Sequence, residues 1–377
     1  MSRHPFVLVA VASALVLAAC ADEDSSPAAA TGTTATGTTA TETTAEPTTI
    51  PPATTSPDTT SPDTTSPDTT AAEPSTTTGQ AAARTVEEVL ALGRPVVLGH
   101  AGGEDEFPHS TPFAFANSVA AGVDVLDMDV QLTGDGVLVV HHDGDVDRTT
   151  DGTGDVAAMS YDELSLLDNA HWFTPDCVCR DQPDEAYLYR GVRTGERSAP
   201  AGFTADDFRI PRFRDIVEAW PELPLNIEIK GTGAPAIAAA EVLAAELREL
   251  DRLDAAIVTS FDDAVVDAFA ALAPEVELTP GLAASTGWVL DRTPLPDGMR
   301  ILQLPIEYEG LQVITPELIA DSHAAGYLIW VWPNDRDWET AERYGELLDM
   351  GLDGLNINFP ATGVAAVRAF VETLGDG

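Results

Sequence analysis

The chain has 377 residues, with 62 Asp or Glu against 19 Lys or Arg, and a formal net charge of −43 at pH 7. Phosphate backbones and anionic lipid surfaces recruit basic faces, so this balance argues against nucleic acid as a partner and against electrostatic docking on a membrane. The length leaves room for one large domain once two atypical N-terminal segments are set aside.

Residues 1–20 read as a lipoprotein signal peptide. Arg3 supplies the positive start, Val7 to Leu17 an apolar stretch, and Leu17-Ala18-Ala19-Cys20 a small-residue cleavage site. The last four residues resemble the bacterial lipobox, in which the cysteine becomes the lipidated N-terminus; an ordinary secretory signal is the competing reading. Either reading predicts export, as a cell-envelope lipoprotein on the outer face of the membrane, anchored through Cys20, or as a secreted protein. The apolar stretch is too short for a mature membrane span. Residues 21–83 are rich in Thr, Pro and Ser, with tandem Ser-Pro-Asp-Thr-Thr units over Ser56–Thr70. Such a segment lacks the apolar surface to offset its ordering entropy and is predicted to be a disordered linker.

Residues 84–377, roughly 290, form the predicted folded domain. Eight short apolar runs read as strands: Val96–Leu98, Val123–Met128, Leu225–Ile229, Ala255–Thr259, Val276–Leu278, Ile301–Leu304, Tyr327–Val331 and Leu352–Ile357. Helical patterns alternate with them around Pro112–Ala121, Pro211–Trp220, Ala234–Leu250, Asp262–Leu272, Thr315–Ala325, Asp337–Leu348 and Ala361–Leu374. This alternation predicts an α/β fold, a (β/α)8 TIM barrel. An open doubly wound sheet would carry a glycine-rich nucleotide turn after the first strand, and His100-Ala101-Gly102-Gly103 is not one. Between about residues 169 and 210 the chain loses its period and gains Asp, Arg, Pro and Tyr. It is expected to be an insertion after the second barrel strand, lying over the barrel mouth. Cys177 and Cys179 fall inside it, too few for a zinc site and expected to be structural, free or bridged.

The chemistry-bearing residues cluster at strand ends. Asp127 and Asp129 are two apart in an apolar run and so share one strand face, where two carboxylates call for a cation or a proton between them. His100 ends the run before them, and His142 follows the apolar run Val137–Val140. Lys230 is the only lysine in the chain and stands two residues after Glu228 at the end of another run. A lysine snorkelling from a strand end beside a satisfied glutamate is the plain alternative.

The ordered motifs resemble the glycerophosphodiester phosphodiesterases. The matching pieces are His100-x-Gly-Gly, Pro108-x-x-Thr111-x-x-Ala114-Phe115, the Asp127-x-Asp129 strand, His142-Asp143, Arg148-Thr-Thr and Glu228-x-Lys230. Ser260-Phe261, Trp332 with Asn334, and Asp353-Gly354 with Pro360 complete the set. The resemblance implies a metal-dependent phosphodiesterase releasing glycerol phosphate and an alcohol from a small glycerophosphodiester. His100, His142 and Lys230 would be catalytic, Lys230 and Trp332 substrate-binding, and Asp127, Asp129 and Glu228 the ligands of Ca²⁺ or Mg²⁺, hard cations that suit carboxylates. Alternatives keep the fold but move the substrate to teichoic-acid-like polymers or phospholipid headgroups, or leave a catalytically impaired surface binding protein. Several positions depart from the family pattern. Ala101 stands where the family has a phosphate-gripping arginine, with Arg148, Arg190, Arg193 and Arg197 as candidates to replace it. Asp127 replaces a glutamate, His109 replaces the glutamate of Pro-Glu-Asn-Thr, and Ile357-Asn358 replaces Thr-Asp.

Overall fold

The computed structural model describes residues 84–175 and 179–375. The expected signal peptide, Cys20, the linker and Cys177 lie outside them. Eight parallel strands make the barrel: β1 (Val96–Gly99), β2 (Val125–Leu132), β3 (Leu225–Ile229), β4 (Ala256–Thr259), β5 (Glu277–Leu278), β6 (Ile301–Pro305), β7 (Leu328–Trp332) and β8 (Gly354–Ile357). Each is followed by a helix: α1 (Pro112–Ala121), α2 (Phe213–Ala219), α3 (Gly233–Glu249), α4 (Asp263–Leu272), α5 (Leu282–Asp291), α6 (Pro316–Ala325), α7 (Ala341–Asp349) and α8 (Pro360–Gly375). The strands pair in sequence order from β1 to β5 and from β6 through β8 back to β1. The barrel is therefore nearly closed, and among the described residues no ladder joins β5 to β6. Arg300, just before β6, pairs with Glu277 of β5 at 2.9 Å across that seam.

Every predicted strand is present. Parallel strands covered by helices are buried on both faces and read as apolar runs, which is why they were visible. Helix ends follow local chemistry. In α1, Thr111 caps Ala114 N–H, Pro112 opens the first turn, and Gly122 closes the helix in the left-handed conformation. Helix α5 was not foreseen, nor was the hairpin of Glu307–Tyr308 with Leu311–Gln312. A further unpredicted helix, Val86–Leu90, packs Val86 and Val89 against Val96, Leu98, Val125, Ile257, Ile301 and Trp330. It plugs the N-terminal end of the barrel and leaves the opposite end open for chemistry.

β2 is longer than predicted. It runs past Met128 to Leu132 and folds back on an antiparallel strand, Leu138–Val140, with Val130 opposite Val140. The following stretch to α2 holds only short helical turns, but it is packed. Phe113 of α1 stacks on Phe208 at 4.8 Å, and Arg190 lies over Tyr187 at 3.6 Å. Cys179 is disulfide-bonded.

Candidate active site

The strand ends set the geometry. β1 delivers His100 into a tight turn in which Ala101 has φ 46°, Gly102 89° and Gly103 100°. A Cβ on Gly103 would fall 2.8 Å from the Pro360 ring, so this position needs glycine for space as well as for φ. The turn aims the Ala101 N–H at Asp127 Oδ2, 3.1 Å away. In the β2–β3 ladder Asp127 lies opposite Asn226 and Asp129 opposite Glu228. Asn226 donates to Asp127 Oδ1 at 2.5 Å and to Gln303 Oε1 of β6 at 3.0 Å, spanning the barrel interior. Asp127 is thus held from two sides, whereas the buried Oδ2 of Asp129 has no hydrogen-bond partner.

Lys230 is the hub. Its Nζ lies 3.1 Å from Glu228 Oε1, 3.6 Å from Asp129 Oδ1 and 3.3 Å from His142 Nε2. It also lies 5.9 Å from the centre of the Phe261 ring, which meets Trp332 edge-on at 6.3 Å. An ammonium only donates, so His142 Nε2 accepts and His142 Nδ1–H donates to Asp143 Oδ1 at 2.6 Å. Asp143 is gripped in turn by Arg148, whose Nε lies 2.5 Å from its Oδ2. Arg148 also reaches Glu104 at 3.4 Å and His109 Nε2 at 3.2 Å. On the other side of the mouth, His100 Nδ1 meets Asn358 Oδ1 at 2.8 Å and Glu104 Oε2 at 3.4 Å.

These contacts divide the histidines. Burial alone would lower His100, but Glu104, Asp127 and Asp129, with the Asn358 hydrogen bond, raise its pKa to about 9. Burial and the Arg148 charge push His109 down to about 3 against the pull of Glu104, so it is a neutral acceptor. His141 is fully buried, with Nε2 on the Asp145 carbonyl at 2.9 Å, and burial lowers it too. His171 and His323 lie away from this cluster, beside Asp168 and Asp353. Burial works against ionisation of Asp129, yet the Lys230 ammonium holds it a carboxylate; Glu228 is pushed up by burial and by Asp129's charge. Burial also raises Asp127.

The Glycerophosphoryl diester phosphodiesterase family model matches residues 100–362. The chain belongs to this family. It is similar to a glycerophosphodiester phosphodiesterase of Caldanaerobacter subterraneus subsp. tengcongensis, 28% identical over 277 residues, which span 73% of this chain and 98% of that protein. A human lysophospholipase D is 30% identical over 193 residues, 51% of this chain and 52% of that one. Among solved structures, a Silicibacter pomeroyi protein titled as a glycerophosphoryl diester phosphodiesterase superposes with TM-score 0.58 at 21% identity, covering 75% of this chain and 97% of that one. An Oleispira antarctica phosphodiesterase in complex with the product sn-glycerol-3-phosphate superposes with TM-score 0.53 at 20% identity, covering 73% and 97%. These superpositions establish the shared fold, and membership of the family makes the chain a phosphoric diester hydrolase.

Within this phosphodiesterase the arginine candidates separate clearly. Arg190 and Arg193 pair inside the insertion with Asp184 and Asp206, and Arg197 donates to the Tyr187 and Leu188 carbonyls. Arg148 reaches the mouth, but its donors go to Asp143, Glu104 and His109. It steadies the His142 side of the site. Ala101, in the missing arginine's position, is fully buried. Glu104, Asp105 and Gln303 also shape the mouth and were not picked out from the sequence; Asn358 was noted only as a departure from the family pattern, without a role, although it is a polar residue just past an apolar barrel strand, as are His100 and Lys230. Among the described residues no group of three His, Cys, Asp or Glu stands ready to hold an ion. The donor chemistry still fits a hard cation: Asp129 keeps a buried, unpartnered oxygen, Glu228 stands opposite it, and an ammonium has settled between the two.

Proposed function

We propose that this phosphodiesterase cleaves small glycerophosphodiesters to glycerol phosphate and an alcohol, with His100 and His142 exchanging the protons. The observation that carries the reading is the convergence of Lys230 on Asp129, Glu228 and His142 Nε2 within 3.6 Å at the barrel mouth. Asp127, Asp129 and Glu228 would hold Ca²⁺ or Mg²⁺, which when bound supplies Lewis-acid stabilisation of phosphate charge.

The chain's own residues do the rest. Lys230 presents positive charge to the phosphate beside His142. Asp143, steadied by Arg148, keeps the Nδ1 proton of His142 in place and so leaves Nε2 as its exchanging atom. His100, among acids, carries the proton for the partner step. One histidine takes a proton from the attacking water or glycerol hydroxyl and the other gives one to the leaving oxygen; where the glycerol hydroxyl attacks, water then opens the cyclic phosphate to glycerol phosphate. Phe261 and Trp332 offer an apolar edge next to Lys230 for the substrate's carbon skeleton. General acid or base catalysis contributes ~10²–10⁴-fold, so His100→Ala and His142→Ala should each lose at least ~10²-fold in kcat on glycerophosphocholine while staying folded. Parental turnover in either variant removes that histidine from the mechanism.

The same proposal places the enzyme outside the cell, tethered through a lipid on Cys20. Support comes from the sequence of residues 1–83 alone. A Cys20→Ala protein should leave the membrane fraction, and retention at the parental level would refute the anchor.

A further inference from the structure

We infer that Asp105 and Asn358 form a positioning relay that fixes which nitrogen of His100 exchanges protons: Nδ1 keeps its hydrogen, and exchange is confined to Nε2. The inference rests on the catalytic reading of His100, but its structural half stands apart from it.

His100 Nδ1 faces the side-chain amide of Asn358 at 2.8 Å. An amide can turn either its oxygen or its nitrogen to a neighbour, and the two choices impose opposite tautomers on a neutral imidazole. The far end of this amide settles the choice. Asn358 Nδ2 lies 2.9 Å from Asp105 Oδ2, and a carboxylate can only accept. The nitrogen therefore faces Asp105 and the oxygen faces His100, so Nδ1 must donate. Its other polar neighbour, Glu104 Oε2 at 3.4 Å, is also an acceptor and makes the same demand.

The relay is anchored at both ends. Asp105 is buried, and its Oδ1 pairs with the Arg336 guanidinium at 2.8 Å while its Oδ2 faces Asn358, so both carboxyl oxygens are engaged by donors. Arg336 itself donates to the Pro175 carbonyl, so the insertion buttresses the far end. The Asn358 main-chain N–H donates to both oxygens of Glu339, at 3.3 and 3.2 Å, fixing the backbone from which the amide projects. The arrangement also accounts for a departure from the family pattern, which has aspartate at this position. A carboxylate there accepts from Nδ1–H whichever way it turns. Asparagine needs its orientation supplied, and in this chain Asp105 supplies it.

The test is long-range ¹H–¹⁵N correlation spectroscopy on the full chain labelled with ¹⁵N-histidine, with the His100 ring identified by its loss in His100→Ala. The parental ring, when neutral, should be the Nδ1–H tautomer. In Asp105→Asn the Asn358 amide is free to turn, so a mixture should appear. Turnover should fall by at least about 10-fold in kcat with KM within about 3-fold, since a wrong tautomer disables the step without removing binding. The exchanged pair Asp105→Asn with Asn358→Asp restores an acceptor at His100 and should recover both the Nδ1–H ring and most of kcat, which a purely structural role for Asp105 would not allow. A parental ring in the Nε2–H form overturns the inference without any variant. So does an Asp105→Asn protein with parental tautomer and kcat, or an exchanged pair whose ring stays mixed. Parental turnover in His100→Ala would instead defeat the catalytic reading and leave the tautomer assignment intact.

Discussion

Single residues at this site are governed by what lies behind them. Glu339 is the clearest case. It is buried, accepts from the Tyr344 hydroxyl and from Asn358 N–H, and burial raises its pKa from 4.5 to about 7. The folded protein therefore holds a proton there that the unfolded chain has already lost between about pH 4.5 and 7. By linkage, stability must fall as pH rises through that window and level off above it. The shift corresponds to ~3 kcal/mol. Glu339→Gln, which keeps an oxygen for Tyr344 but cannot ionise, should flatten this slope and be more stable than the parent near neutrality. Urea unfolding at pH 5 and pH 8 measures it; an unchanged difference between the two pH values would show that Glu339 ionises normally in the fold.

At the scale of elements, close approach decides what the sequence can vary. Gly354 of β8 lies where an added Cβ would be 2.6 Å from Trp330 Cδ1 of β7. Trp330 is one of the largest fully buried side chains and packs in the barrel floor, so its ring has no room to withdraw. Gly354→Ala should cost ~1–3 kcal/mol by overpacking, read as a lower urea midpoint with unchanged slope. A midpoint within error of the parent would mean that the floor can repack. The same packing explains what was legible. Barrel strands buried on both faces are apolar runs, so all eight could be read. Helix α5 buries only Ser285 and Trp288 among small residues and shows no apolar stripe. The hairpin at Glu307–Gln312 is largely exposed and has no pattern to find. At the mouth, Asp127, Asp129, Glu228 and Lys230 were readable because strand periodicity puts them on one face. Glu104 and Asp105 were not, nor was the role of Asn358, because Asp105 and Asn358 meet across 253 positions of sequence through irregular turns, where no period connects them.

Over the whole molecule the dominant quantity is charge. The chain carries −43, and the barrel mouth sets Asp129 and Glu228 around the Lys230 ammonium, with Asp127 on the same strand face and Glu104 against Arg148. Two effects of added cations must then be kept apart. Salt of any kind screens the general repulsion of an acidic surface, with a Debye length of about 10 Å at 0.1 M. A divalent ion bound at Asp129 and Glu228 acts instead by mass action on the folded state alone. At 100 times its Kd it should add ~2.7 kcal/mol, a rise of roughly 4–5 °C in Tm for a domain of this size. The expected outcome is that millimolar Ca²⁺ or Mg²⁺ raises the Tm of the parent above that of a sodium chloride control at equal ionic strength. Asp129→Asn and Glu228→Gln should keep the sodium response and lose the divalent increment. Chelation should abolish turnover in the parent, and returning the ion should restore it. An equal divalent increment in both variants would move the ion away from these carboxylates. Parental turnover in excess chelator would leave Lys230 and the two histidines to stabilise the phosphate unaided.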